Sequence, residues 1–177
     1  LVDAEQALLD YDVDLAILFS ALPTESFKTV ARVEQSVFAI MAPGHPLADN
    51  EELSLSQCVE YPLALHDSSF SVGQLLEAQA HRSRISLKPV MKSNSFILLQ
   101  NYIMSSNAVG FEIEIGLGEN ELNGLVKKPL DVNKLNKISV QLIQLRGRTL
   151  SVAAAKFAEQ IGAVFMAMSE EKPEGIY

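Results

Sequence analysis

Val37-Phe38-Ala39-Ile40-Met41-Ala42, running into Pro43-Gly44-His45-Pro46-Leu47-Ala48, decides how the rest of the chain is read. An apolar run this short suits a strand buried on both faces better than a helix. Two prolines and a glycine then stop it abruptly. Upstream, Leu1, Ala4 and Leu8 share one helical face, and Val13 to Phe19 forms a second apolar run, read as a buried parallel strand. Ser20 to Ser26 is a loop around Pro23. Downstream, Leu53-Ser54-Leu55 leads into a turn or short helix, and Pro62 to Leu65 is a short strand before the polar loop His66-Asp67-Ser68-Ser69. A helix is expected from Ser71 to Arg82 with Val72, Leu75, Leu76 and Gln79 inward. Ile85 to Met91 reads as an edge strand because it carries Pro89.

The second half repeats this grammar. Ser93-Asn94-Ser95 offers side-chain caps to a helix carrying Phe96, Leu99 and Ile103. Ala108 to Ile115 is a strand, Leu125-Val126 a short extended piece, and Ile138 to Leu145 the cleanest period-two strand of the chain. Ser151 caps a last helix whose inward stripe is read as Phe157, Ile161, Val164, Phe165 and Met168. Residues 170–177 form a polar tail. Strands alternating with helices imply an α/β fold with right-handed crossovers.

Composition narrows the function. The 177 residues include 14 Lys+Arg against 22 Asp+Glu, a net charge of −8, which suits a chain that does not itself grip phosphate backbones. With 48% hydrophobic residues, 9 Gly and 7 Pro, the chain is globular and not low-complexity. One cysteine, Cys58, excludes an internal disulfide and points to a reducing cytoplasm. The most apolar long stretch, Val152 to Met168, is interrupted by Lys156, Glu159 and Gln160, so no membrane partner is expected. The chain opens without a cap or leading strand, as an internal stretch of a longer protein would.

Catalytic motifs are missing. His45, His66 and His81 lack metal-ligand spacing, and no GxSxG elbow, P-loop or GxGxxG is present. Cys58 has no neighbouring cation and reads as a buried thiol. Glu112 and Glu114 share one side of an alternating segment and are expected to face solvent. Gly116 to Asn120 reads as a turn. No catalytic residue, metal or cofactor is therefore assigned. The better candidates are the polar loops before two helices, Ser68 to Ser71 and Ser93 to Ser95. Each follows a strand and could offer helix N–H groups to a small anion.

The order Val13-Asp14-Leu15-Ala16-Ile17, then Val37 to Ala42 with Pro43-Gly44-His45-Pro46-Leu47-Ala48, resembles the effector-binding domain of LysR-type transcriptional regulators. Tyr61-Pro62-Leu63, Asn94 to Gly110, Leu125-Val126 with Pro129-Leu130, and the Ser151 to Met168 helix extend the resemblance over nearly the whole chain. It implies two Rossmann-like lobes of the periplasmic-binding-protein type, joined by two crossing strands near Ala42 to Pro46 and Gln144 to Gly147. Lobe I would comprise 1–46 plus 147–169, without the family's first strand, helix and strand; lobe II would comprise 47–146.

By the same resemblance, a small-molecule effector of anionic character would sit between the lobes. Its contacts would be Phe19, Ser20, Leu65, His66, Ser68, Ser69, Asn94 and Ser95. His45 would shape a turn. The family's glycines after the second-lobe helix stand here as Ser106 and Ala108. The domains would pair as homodimers or tetramers, with the Ser71 to Arg82 helix at the interface. DNA would be met only through a winged helix-turn-helix upstream. Two rival readings share the scaffold: a solute-binding protein of a transport system, and an enzyme, which would need a catalytic constellation.

Overall fold

The computed structural model describes residues 4–19, 25–67, 71–117, 122–131 and 138–170. Its elements, in chain order, begin with α1 (Ala4–Leu9), β1 (Ala16–Phe19), β2 (Phe27–Gln35), β3 (Val37–Met41), α2 (Leu55–Cys58), β4 (Leu63–His66) and α3 (Ser71–Ser83). They continue with β5 (Pro89–Ser93), α4 (Phe96–Met104), β6 (Gly110–Ile113), a 3₁₀ turn (Glu114–Gly116), β7 (Val126–Pro129), β8 (Ile138–Leu145) and α5 (Val152–Glu170). The chain divides into two compact units: Leu1–Glu34 with Ser139–Tyr177, and Gln35–Ile138.

In the first unit β8 lies between β1 and β2. Its alternation commits its two faces to different helices. Val140 and Leu142 join Val33, Ala158 and Phe165 under α5, while Ile143 joins Ala16 and Leu8 of α1. Two sequence expectations change here. β1 runs antiparallel to β8, and Ile17 and Phe19 are exposed, so it is not a parallel strand buried on both faces. On α5, Phe157 and Val164 are exposed. The inward stripe is Ala158, Ile161, Phe165 and Met168. That helix carries two interleaved apolar stripes, and helical period cannot choose between them. Strand β2 had no counterpart in the sequence reading, because Lys28, Arg32 and Glu34 obscure its alternation.

The second unit is built around β3, which is antiparallel to β6 on one side and to β7 on the other. β4 and β5 pair in parallel, and the Leu63–Val109 bridge joins β4 to the β6 side. Helices cover both faces, as buried mixed sheets require. Val37, Ala39 and Met41 pack with Val72, Leu76 and Ala80 of α3; Ile40 packs with Leu99 and Ile103 of α4. The opening apolar run is thus a central strand. Because β3 is paired on both sides, the chain passes between units at Glu34/Gln35 and Ile138/Ser139, earlier than the sequence placed the crossings.

Two single residues behave as their surroundings dictate. Cys58 is fully buried, and burial pushes its thiol up to about 12. His45 is buried in its turn, where Nδ1 accepts from the Leu47 N–H at 3.1 Å and the ring lies 4.5 Å from that of Tyr61. Burial lowers its pKa below 6.5, the backbone at Asn107 opposing this in part. An unfolded chain therefore takes up this proton first as pH falls. The stability His45 contributes is present above pH 6.5 and drains away on acidification. His45→Asn, which keeps an acceptor for Leu47 but cannot titrate, is expected to lose less stability than wild type between about pH 7 and pH 5.5, measured by urea unfolding.

Candidate functional site

The site is set by the parallel pairing of β4 and β5. All four residues of β4 are buried, so the strand is fixed, and its register brings His66 opposite Ser93 at the carboxyl ends of both strands. The Asp67 N–H donates to the Ser93 carbonyl at 3.2 Å and keeps the two exits together. Ligands of open α/β sheets bind at this edge, because the loops there can vary without disturbing the strands. Gly73 allows the first turn of α3 to lie against the β4 exit; a Cβ at Gly73 would stand 2.7 Å from the Asp67 carbonyl oxygen.

On this edge His66 is buried, and its Nε2 lies 2.8 Å from Oε2 of Glu112 at the β6 position opposite Phe38. The two side chains are 5% and 12% exposed, which makes this a buried polar pair instead of a surface ion pair. Glu112 Oε1 accepts from the Ile113 N–H at 3.1 Å. The Phe96 ring stacks against His66 with centroids 6.1 Å apart. Glu112 does not face solvent as the sequence suggested. Glu114 also differs from expectation: it opens the 3₁₀ turn and is only partly exposed.

The β5 exit carries the hydroxyl loop. Ser95 is the N-cap of α4, accepting from the Leu98 N–H at 3.4 Å, while its own N–H donates to Ser93 Oγ at 3.0 Å. Asn94 and Ser95 are exposed. The N-terminus of α4 and His66 thus lie at the exits of β5 and β4, and Glu112 reaches His66 from β6, which the Leu63–Val109 bridge links to β4. Hydroxyls, an amide and helix N–H groups can hold a small polar molecule there.

The structure brings His66, Asn94 and Ser95 to this edge. Leu65 faces the other way, into the core beside α3. Phe19 lies exposed at the end of β1 in the first unit, and Ser20, Ser68 and Ser69 lie outside the described residues. Sequence reasoning missed Glu112 and Phe96. Nothing in the sequence sets Glu112 apart from Glu114, since both stand at the polar positions of one alternating segment. Among the described residues no cluster of side chains suits a metal ion, and no helix is long and apolar enough to cross a membrane.

Comparison with known proteins agrees with this architecture. Residues 2–166 match the family model of the LysR substrate binding domain, so the chain belongs to that family, the effector-sensing regulatory domains of LysR-type transcription regulators. No curated protein sequence matches it. HinK, a LysR family transcriptional regulator from Pseudomonas aeruginosa, shares the fold with a TM-score of 0.71 at 18% identity, over 90% of this chain and 56% of HinK. The chain thus spans little more than half of that regulator. The effector binding domain of QuiR in complex with shikimate gives 0.70 at 17% identity, over 91% of this chain and 77% of that domain. The Synechocystis PCC6803 CcmR regulatory domain in complex with 2-PG gives 0.70 at 16% identity, over 96% and 80%. The fold is the two-lobe, periplasmic-binding-protein-like α/β fold that the sequence suggested, and the transport-protein alternative is not favoured.

Proposed function

We propose that this domain senses a small polar metabolite at the carboxyl edge of β4 and β5 and binds it without transforming it. The observation that carries this reading is the register of His66 against Ser93. It sets a buried imidazole–carboxylate pair beside the exposed Asn94-Ser95 cap of α4. The polar groups are spaced to recognise a small polar molecule. The ligands named for QuiR and CcmR make a small anion the natural class. Helix N–H groups at Ser95 favour that charge. Ser20, Ser68 and Ser69, together with Phe19, are proposed to complete the contacts.

In the whole regulator, effector binding biases how paired subunits present separate DNA-binding domains, a shift between arrangements of unequal affinity. The helix α3 is proposed as an element of the pairing surface, and the cytoplasm as the compartment. A thermal-shift panel of small carboxylates and phosphates, including shikimate and 2-PG, tests the pocket. One member is expected to raise the unfolding temperature, because a ligand of the native state stabilises it by mass action. The double substitution Asn94→Ala, Ser95→Ala should abolish that rise. A rise left intact by both substitutions would place the pocket elsewhere.

A further inference from the structure

Gln35 begins the second unit, and its side chain is 1% exposed. The ladder between β3 and β6 runs from Ile40–Gly110 to Val37–Ile113, and the Glu114 N–H extends it to the Ser36 carbonyl at 3.2 Å. At the next step the backbone ladder is replaced by a side chain. Gln35 Oε1 accepts from the Ile115 N–H at 2.8 Å, inside the 3₁₀ turn that ends β6. Glu112, the partner of His66, stands three residues before Ile115 on the same backbone.

We propose that Gln35 is a positioning residue for the effector response. It fastens the strand by which the chain enters the second unit to the turn that follows Glu112. The inference rests on the pocket proposed above. A ligand that engages the His66–Glu112 pair then acts, through a short taut segment of β6, on the strand that leads to the first unit. A buried carboxamide suits this role because it offers an acceptor with no charge to desolvate. Its loss would leave the Ile115 N–H without that acceptor.

The test needs no effector, so its outcome is independent of whether the pocket binds the panel ligands. Amide hydrogen exchange at Ile115 and the ring resonances of His66 would be measured by NMR in wild type, Gln35→Leu and Gln35→Glu. In Gln35→Leu, exchange protection at Ile115 is expected to fall about tenfold or more, with a displaced His66 ring signal. Gln35→Glu supplies the distinguishing result. A protonated carboxyl has one accepting and one donating oxygen, as the carboxamide has one acceptor and a donor, and burial keeps it protonated to higher pH. Both protonation states keep an oxygen that accepts from the Ile115 N–H, so Gln35→Glu should retain protection at Ile115 and the wild-type His66 ring signal where Gln35→Leu loses them. In the opposite direction, Glu112→Ala should lower protection at Ile115. His66 ring signals unmoved in Gln35→Leu, or Ile115 protection unmoved in Glu112→Ala, would overturn the proposal. Should Gln35→Leu fail to fold, the Ile115 protection measured in Glu112→Ala decides it.

Discussion

His66→Phe is expected to destabilise the second unit by about 2–4 kcal/mol at neutral pH, whereas His66→Phe with Glu112→Leu should recover most of that loss. The phenylalanine ring keeps the stack on Phe96, so packing is not what the substitution removes. What it removes is the partner of a carboxylate that is only 12% exposed. The remaining hydrogen bond, from the Ile113 N–H, does not replace that partner. The double variant buries two apolar side chains in place of the pair and leaves no charge without a partner, so it should not share this penalty. Urea unfolding of wild type, both single variants and the double variant at neutral pH reads the effect. No loss in His66→Phe would show that the pair carries no stability.

Much of this architecture was legible because single strands and helices announce themselves by period. The run at Val37 to Ala42 is apolar at every position, and it proved to be the strand with neighbours on both sides. The stripe Val72, Leu75, Leu76, Gln79 faces inward as read. What period does not encode is which of two apolar stripes faces the sheet, hence the misreading of Phe157 and Val164 on α5. It does not reveal strand pairing either, hence β1 taken as parallel and β2 passed over. The site divides along the same line. His66, Asn94 and Ser95 follow strands in the sequence, so topology alone carries them to the ligand edge. Glu112 comes from a different strand, 46 residues beyond His66, and nothing local couples the two.

Gly73→Ala should be the most damaging methyl that can be added to the described glycines, because what it meets is backbone. Its Cβ would stand 2.7 Å from the carbonyl oxygen of Asp67 and 3.1 Å from that of His66. Helix propensity argues for the alanine by up to about 1 kcal/mol, less in a first turn, where intrahelical bonds are incomplete. Overpacking against atoms that cannot rotate away argues against it by about 1–3 kcal/mol. The steric term wins. Relief requires α3 to retreat from the β4 exit, or the Asp67 peptide to turn and weaken its hydrogen bond to Ser93. Gly110 is the informative contrast: a Cβ there meets the tip of Ile103 at 2.5 Å, a side-chain end that can swing, although the Ala64 carbonyl at 3.3 Å limits the relief. Gly44, with nothing within 4 Å, serves as the neutral control. Urea midpoints should fall in the order Gly44→Ala, Gly110→Ala, Gly73→Ala, from highest to lowest. Only the last should also reduce the thermal shift given by a panel ligand, since it alone displaces the Asp67–Ser93 link between the exits of β4 and β5. Equal midpoints for Gly73→Ala and Gly44→Ala would mean that α3 is not held against this edge.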